Sequence, residues 1–300
     1  MPRRIIIDTD PGIDDAVAIL LALASPEIEV LGLVAVAGNL PLAVTERNTR
    51  AIVELAGRPE IPVYAGCPRP MGRPLLTAER VHGDTGLGGL ALPPPAIAAR
   101  PEHGVDFLIE TLRQAAPGSI TLCALGPLTN IAVALVMAPE IAAGIAELVL
   151  MGGAARVPGN VTPAAEFNIH VDPYAAALVF DSGLPITMVP LDVTAQLRGT
   201  PERLAQIQLL ATRCGAAAAA LIGPMVAMHD PCVIAYLIAP ELFGGSEASV
   251  AVETHSPLAA GMTVVDWCPT SGRAKNARVL ETVDSDGFFR LLAERIARLP

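Results

Sequence analysis

The sequence is poor in aromatic residues, with one tryptophan, three tyrosines and six phenylalanines among 300 residues. Its core must therefore be largely aliphatic, and the lone Trp267 excludes a binding site walled by several indoles. Positive charge is also scarce: 20 Lys and Arg stand against 30 Asp and Glu, a formal net charge of −10, and Lys275 is the only lysine. Nucleic-acid binding needs a basic surface that displaces counterions, so a phosphate-backbone partner is excluded. The five cysteines (Cys67, Cys123, Cys214, Cys232 and Cys268) are odd in number, widely spaced and never form a CxxC pair. That excludes a zinc or redox motif and fits a reducing, cytoplasmic setting. Long hydrophobic runs are missing as well. Asp8 cuts the Ile5-Ile6-Ile7 run short, so no targeting segment is expected. The stretch 214–228 is interrupted by Gly215, Gly223 and Pro224 and falls below the roughly 18 residues a membrane span requires.

What is present is a chain of 52% hydrophobic residues and mean hydropathy +0.50, able to bury a large core. Short continuous Val/Ile/Leu runs predict strands covered on both faces at 5–7, 30–37, 61–64, 119–125, 147–151 and 186–189. Helical patterns alternate with them at 14–24, 43–56, 128–137 and 173–181. Strand and helix in turn specify an α/β fold, a mostly parallel central sheet flanked by helices in the Rossmann-like manner. Beyond residue 200 the pattern becomes more helical, with strand-like runs at 249–253, 263–267 and 278–283 and a helix at 287–299. No linker or repeat interrupts the chain, which reads as a single domain over 1–300.

Ligands of open α/β sheets bind beyond the carboxyl ends of the strands. There the sequence Asp8-Thr9-Asp10-Pro11-Gly12-Ile13-Asp14-Asp15 places four aspartates within eight residues, at the end of a buried strand and on the first turn of a helix. A helix N-terminus offsets part of one negative charge, not three or four. Carboxylates converging without nearby Cys or His suit a hard cation, calcium or magnesium. Helix capping by Asp14 explains one of these residues but not the group. A magnesium-dependent phosphohydrolase using Asp8 and Asp10 is an alternative, but it requires a lysine at the transferring phosphoryl group. Lys275 lies among arginines and alanines with no apolar strand just before it.

The stretch Asp8-Thr9-Asp10-Pro11-Gly12-Ile13-Asp14-Asp15-Ala16 resembles the N-terminal signature of the inosine-uridine preferring nucleoside hydrolases. The likeness extends through Val36-Ala37-Gly38-Asn39, the glycine-rich segment from His82 to Gly89, and Leu125-Gly126-Pro127-Leu128-Thr129-Asn130. It continues through Met151-Gly152-Gly153, Asn160, Glu166-Phe167-Asn168 and His229-Asp230-Pro231.

This resemblance implies calcium-dependent cleavage of the N-glycosidic bond of a ribonucleoside to free base and ribose. Calcium would be held by Asp10, Asp15, the Leu125 carbonyl and Asp230. Asp10 would be the general base acting on a water held by the ion, and His229 the acid protonating the leaving base. Asp14, Asn39 and Asn168 would bind the ribose hydroxyls, Asn160 and Glu166 the 5′-hydroxyl, and His82 and Met151 would also contact substrate. Asp8 would orient the loop from behind. A non-catalytic nucleoside or ribose binder would lack the base or acid, and both Asp10 and His229 are present. The resemblance further implies a homodimer or homotetramer. With Gly83 beside His82, and no second tryptophan, broad or pyrimidine-leaning base preference is expected. The Ala/Gly-rich segment 213–228 is expected to be a lid over the base. His170 and His255 are read as structural, His103 as exposed near a helix start, and Asp172 as a helix cap.

Overall fold

The computed structural model describes residues 1–223 and 227–300. Its first half alternates β1 (Arg3–Thr9), α1 (Ile13–Leu23), β2 (Ile28–Ala35), α2 (Leu42–Leu55), β3 (Val63–Ala65), α3 (Glu79–His82), α4 (Gly104–Gln114), β4 (Ile120–Ala124), α5 (Thr129–Met137) and β5 (Ile145–Met151). There follow α6 (Phe167–Val171), α7 (Pro173–Phe180), β6 (Ile186–Val189), α8 (Leu191–Thr194), α9 (Pro201–Gln208), α10 (Arg213–Leu221) and α11 (Pro231–Ile238). The chain closes with β7 (Phe243–Val252), β8 (Thr263–Asp266), β9 (Ala277–Val283) and α12 (Ser285–Ile296).

The strands form one nine-stranded sheet in the order β3-β2-β1-β4-β5-β6-β9-β7-β8. Every pairing from β3 to β9 is parallel, whereas β7 runs antiparallel to both β9 and β8. The α/β class with a mostly parallel sheet is therefore the observed architecture. Side chains of a strand point alternately to opposite faces, and β1 shows the result. Ile5 and Ile7 enter the apolar layer under α1, α10, α11 and α12, and Ile6 enters the layer under α4, α5 and α7. All three are fully buried, each contributing on the order of 1.5–3 kcal/mol of hydrophobic stabilisation.

Differences from the expected elements have local causes. β7 starts six residues before the expected strand at 249, because Gly244 and Gly245 break the apolar pattern that its pairing with β9 nevertheless extends. The third strand begins after Pro62 rather than at residue 61, since Ile61 N–H closes a turn onto Arg58 O. Helix α4 was not among the expected elements, although Val105, Leu108, Ile109 and Leu112 bury one face at helical spacing. The segment expected as a lid is mostly α10, whose Cys214, Ala217, Ala218 and Leu221 are buried, with Cys214 Sγ donating to Leu55 O. Alanines there permit close helix packing against the core. Residues 224–226 of that segment lie outside the described residues.

The chain leaves β1 for β2 and β3 on one side and returns to β4 on the other. That reversal opens a crevice at the carboxyl ends of β1 and β4, the place where such sheets bind ligands. Asp8 pairs with Ala124 in register, and Leu125 N–H donates to Asp8 O, so the loops carrying Asp10 and Leu125 emerge side by side.

Candidate active site

Four aspartates follow β1 into this crevice, and all are buried: Asp8, Asp10, Asp14 and Asp15. Asp15, in the first turn of α1, is the most thoroughly hydrogen-bonded. Its Oδ1 accepts from Thr9 Oγ1 at 2.6 Å and from Asp10 N at 3.1 Å, and its Oδ2 accepts from Gly12 N at 3.0 Å and Asn39 Nδ2 at 3.2 Å. Burial raises its pKa, Asp14 adds to the rise, and the Thr9 and Gly12 donors oppose it.

Asp10 is held differently. Its Oδ2 accepts from Asn39 N at 2.6 Å, while Oδ1 is buried with no hydrogen-bond partner. Two glycines make room for this carboxylate: a Cβ on Gly38 would stand 2.1 Å from Oδ2, and one on Gly126 2.4 Å from Oδ1. Burial, reinforced by Asp15, keeps the Asp10 pKa well above the ordinary carboxylate range. Asp8 lies one step further back, with Oδ2 accepting from Asn130 Nδ2 at 2.8 Å and Oδ1 unpartnered. Burial pushes its pKa up to about 8 against that hydrogen bond.

Asp230, just ahead of α11, arrives from the far end of the chain. One oxygen each from Asp14, Asp15 and Asp230 lie within 4.8 Å of one another. Burial, then the charges of Asp14, Asp15 and Asp10, raise the Asp230 pKa well above its usual value. At such separations two like charges repel by about 3 kcal/mol at an effective dielectric of about 20. A cation removes that cost, and an all-oxygen donor set with an orphaned Asp10 Oδ1 beside it fits a hard divalent metal.

The metal-capable cluster forms the floor of a cavity of ≈ 360 Å³. Asp14, Asp230 and Leu125 belong to its lining; Asp10 and Asp15 sit behind it with no solvent exposure. One wall carries Met151, Asn160, Glu166 and Asn168. Asn168 Nδ2 donates to Leu125 O at 2.7 Å and to Met151 O at 3.2 Å. Glu166 caps α6, its two oxygens accepting from the backbone N–H groups of Asn168, Gly153 and Ile169, and burial lifts its pKa to about 7. Asn160 is exposed at the rim, its Oδ1 accepting from Phe167 N at 3.0 Å.

The other wall carries Asn39, His82 and His229. Ile13 N donates to His82 Nδ1 at 3.1 Å, so Nδ1 carries no proton and the ring N–H is at Nε2. Gly12 permits this approach, since a Cβ there would meet Nδ1 at 2.5 Å. His229 Nδ1 lies 2.8 Å from Thr194 Oγ1. Burial pushes the His229 pKa below its usual value, and Asp14 opposes the shift.

All the sequence-predicted site residues thus gather in or directly behind one cavity. Sequence reasoning missed Leu76, Thr77, Arg80 and Val81, which line the mouth ahead of His82, and also Thr194, while Phe167, quoted in a motif without a role, belongs to the cavity lining. Residues 76–81 carry no motif, and only their adjacency to His82 could have drawn attention. Asn130, quoted as part of a motif but given no role, proves to be the partner of Asp8. Asp172 caps α7 as expected and also accepts from Thr129 Oγ1 and Met71 N. His103 is the exposed cap of α4, and His170 Nδ1 lies 2.8 Å from Ala260 O, both outside the cavity lining. Trp267 lies under Arg156, 4.0 Å from guanidinium carbon to ring centroid, away from the cavity.

A larger, open groove of ≈ 800 Å³ lies at the opposite end of the sheet, by Pro185, Ile186 and Ala277, and mixes Glu147 and Glu247 with Arg273 and Lys275. The only lysine is therefore remote from Asp8 and Asp10, where a phosphohydrolase would need it. No described helix is long and apolar enough to cross a membrane.

Comparison with known proteins gives a consistent result. The sequence model described as inosine-uridine preferring nucleoside hydrolase matches residues 5–290. An uncharacterized protein of Schizosaccharomyces pombe is 48% identical, the alignment covering 99% of this chain and 100% of that one. The pyrimidine-specific ribonucleoside hydrolase RihA of a Shewanella species is 44% identical over 99% of this chain and 97% of its own. Among solved structures, the purine-preferring ribonucleoside hydrolase from Gardnerella vaginalis superposes with a TM-score of 0.91 at 34% identity, covering 98% of each chain.

Proposed function

The chain belongs to the inosine-uridine preferring nucleoside hydrolase family and is a ribonucleoside N-glycosyl hydrolase, and from that premise we propose a calcium-dependent enzyme with a pyrimidine-leaning base preference. The observation that carries the proposal is the convergence of Asp14, Asp230, Leu125 and His229 on one cavity, with Asp10 and Asp15 immediately behind it.

Calcium would be held by Asp10, Asp15, Asp230 and the Leu125 carbonyl, and Asp14 lies close enough to join them. A bound divalent ion makes water acidic enough to lose a proton near neutral pH and attracts the sugar hydroxyls. Asp10 would take that proton, a role supported by Asn39 N–H holding one of its oxygens while the other is unpartnered. Asn39 and Asn168 are each anchored through Nδ2, which would leave Oδ1 for a ribose hydroxyl. Asp14 would complete the hydroxyl contacts, Asn160 and Glu166 would bind the 5′-hydroxyl, and Met151 would also contact the substrate, all of them lining the same cavity.

Departure of the base leaves oxocarbenium-like charge on the ribose, which the surrounding carboxylates stabilise. The leaving base needs a proton, and His229 supplies it. His82 presents Nε2–H to the base from the same wall. The pyrimidine lean rests on relatives named pyrimidine-specific and on a base end bordered by His82, His229, Arg80 and Val81, with Trp267 elsewhere. A reducing, cytoplasmic setting belongs to the same reading, since all five cysteines are free.

The deciding test is ribose release from uridine, cytidine, inosine and adenosine, with calcium and with a chelator. Release that the chelator abolishes and calcium restores, faster from the pyrimidine nucleosides, is the expected outcome. Chelator-resistant release would remove the metal, and a strong purine advantage would remove the base preference.

A further inference from the structure

We infer that Thr194 is the positioning residue of His229, holding its imidazole so that Nε2 faces the leaving base. The inference rests on the acid role given to His229 above. Thr194 Oγ1 lies 2.8 Å from His229 Nδ1, is fully buried, and stands behind the ring rather than in the cavity lining. With Nδ1 engaged on that side, Nε2 is the nitrogen turned to the cavity.

The hydroxyl has a rigid mount. Thr194 ends α8, the single helical turn that follows β6 through Pro190, and its N–H bonds back to Pro190 O. Asp192 on the same turn accepts from Ala155 N and Arg156 N, both at 2.8 Å, which ties α8 to the loop after β5. The His229 segment is strapped to the chain just beyond Thr194: Ala227 bridges Arg198, and Met228 N donates to Leu197 O at 3.0 Å. Backbone pairing thus fixes where His229 emerges, and Thr194 fixes the rotation of its ring.

The choice of a hydroxyl has a chemical rationale, because it can accept a hydrogen bond as well as donate one. Thr194 Oγ1 can accept from Nδ1–H or donate to a bare Nδ1, so the contact holds the ring with Nε2 toward the base in either form. As the N-glycosidic bond breaks, its electron pair leaves with the base and the base nitrogen takes the proton from Nε2, while Nδ1 stays on Thr194. A ring without this partner can rotate about its side-chain bonds and lose the in-line donor.

The test compares His229→Ala, Thr194→Val and Thr194→Ser on uridine and on p-nitrophenyl riboside, whose leaving group departs without a proton, all with calcium present and with Tm measured. His229→Ala should lose about 10²–10⁴-fold in kcat on uridine and little on the activated substrate. Thr194→Val should lose about 10–100-fold in kcat on uridine, the usual scale for removing an orienting partner, with KM nearly unchanged and the activated substrate spared. Thr194→Ser should restore uridine cleavage. Full uridine activity in Thr194→Val, equal losses on both substrates, or no rescue by serine would overturn the positioning role while leaving the acid in place. Equal losses on both substrates in His229→Ala would instead remove the acid, and the inference with it.

Discussion

The backbone N–H of Asn39 donates to Asp10 Oδ2 at 2.6 Å, so the carboxylate is fixed through one oxygen while its other oxygen stays buried and unpartnered. Asn can keep that contact through its own carbonyl oxygen but cannot take a proton. Asp10→Asn is therefore expected to fold with a Tm near that of the parent and to lose about 10²–10⁴-fold in kcat, the usual weight of a general base. Ribose release measured beside a thermal melt checks this. Activity within tenfold of the parent would place the base elsewhere.

Gly126 should matter for a steric reason. A Cβ at this position would come within 2.4 Å of Asp10 Oδ1, closer than van der Waals contact allows, and would turn the carboxylate away. We expect Gly126→Ala to lower stability by about 1–3 kcal/mol, the scale of overpacking, and to cut kcat further than that destabilisation explains. A variant of parental activity would show that the orientation of Asp10 has no bearing on turnover.

Metal and stability should be linked. The floor carboxylates of Asp14, Asp15 and Asp230 repel one another in the metal-free protein, and any ligand that binds only the folded state adds stability by mass action. Calcium at 100 times its Kd should add about 2.7 kcal/mol, read as an upward Tm shift on titration into chelator-treated protein. Asp230→Asn should weaken that response. A Tm indifferent to calcium would count against the site.

The metal-free protein should also lose stability as pH rises. Glu166, pushed up to about 7, and Asp8, pushed up to about 8, hold protons in the folded state that the unfolded chain releases near the ordinary carboxylate range. Between those limits the folded state binds more protons, so the contribution of these two groups to stability falls with increasing pH and levels off above about pH 8. Glu166 alone accounts for up to about 3 kcal/mol, at about 1.36 kcal/mol per pKa unit. Melts in chelator should give a higher Tm at pH 5.5 than at pH 8; the reverse order would mean that these carboxylates are ionised at little cost.

The sequence was most informative where chemistry and local structure coincide. An apolar run closed by Asp8, Asp10, Asp14 and Asp15 marks a strand end, a turn and a helix start at once, and those residues do gather there. Continuous aliphatic runs marked the parallel strands for the same reason: both faces are covered. Partnerships between distant segments left no such trace. Thr194 and His229, or Asp8 and Asn130, are brought together only by the sheet order. The mouth residues Leu76 to Val81 follow no period, and the glycines of β7 hid half a strand that tertiary pairing supplies. Of the segment 213–228 expected as a lid over the base, residues 213–221 form the packed helix α10, and Ala227 reaches the cavity lining.

The three clustered carboxylates come from opposite ends of the chain: Asp14 and Asp15 from the first helix, Asp230 from the start of α11. Most of Asp15's hydrogen bonds are made within residues 9–15, so half of the cradle is a local structure that can form as soon as β1 and α1 exist. The other half cannot arrive until some three-quarters of the polypeptide has left the ribosome. Between those moments the growing chain carries concentrated negative charge with no complete cage for a cation, so capture of an ion by this cluster would be a late event in biosynthesis and a signature that the two segments have met.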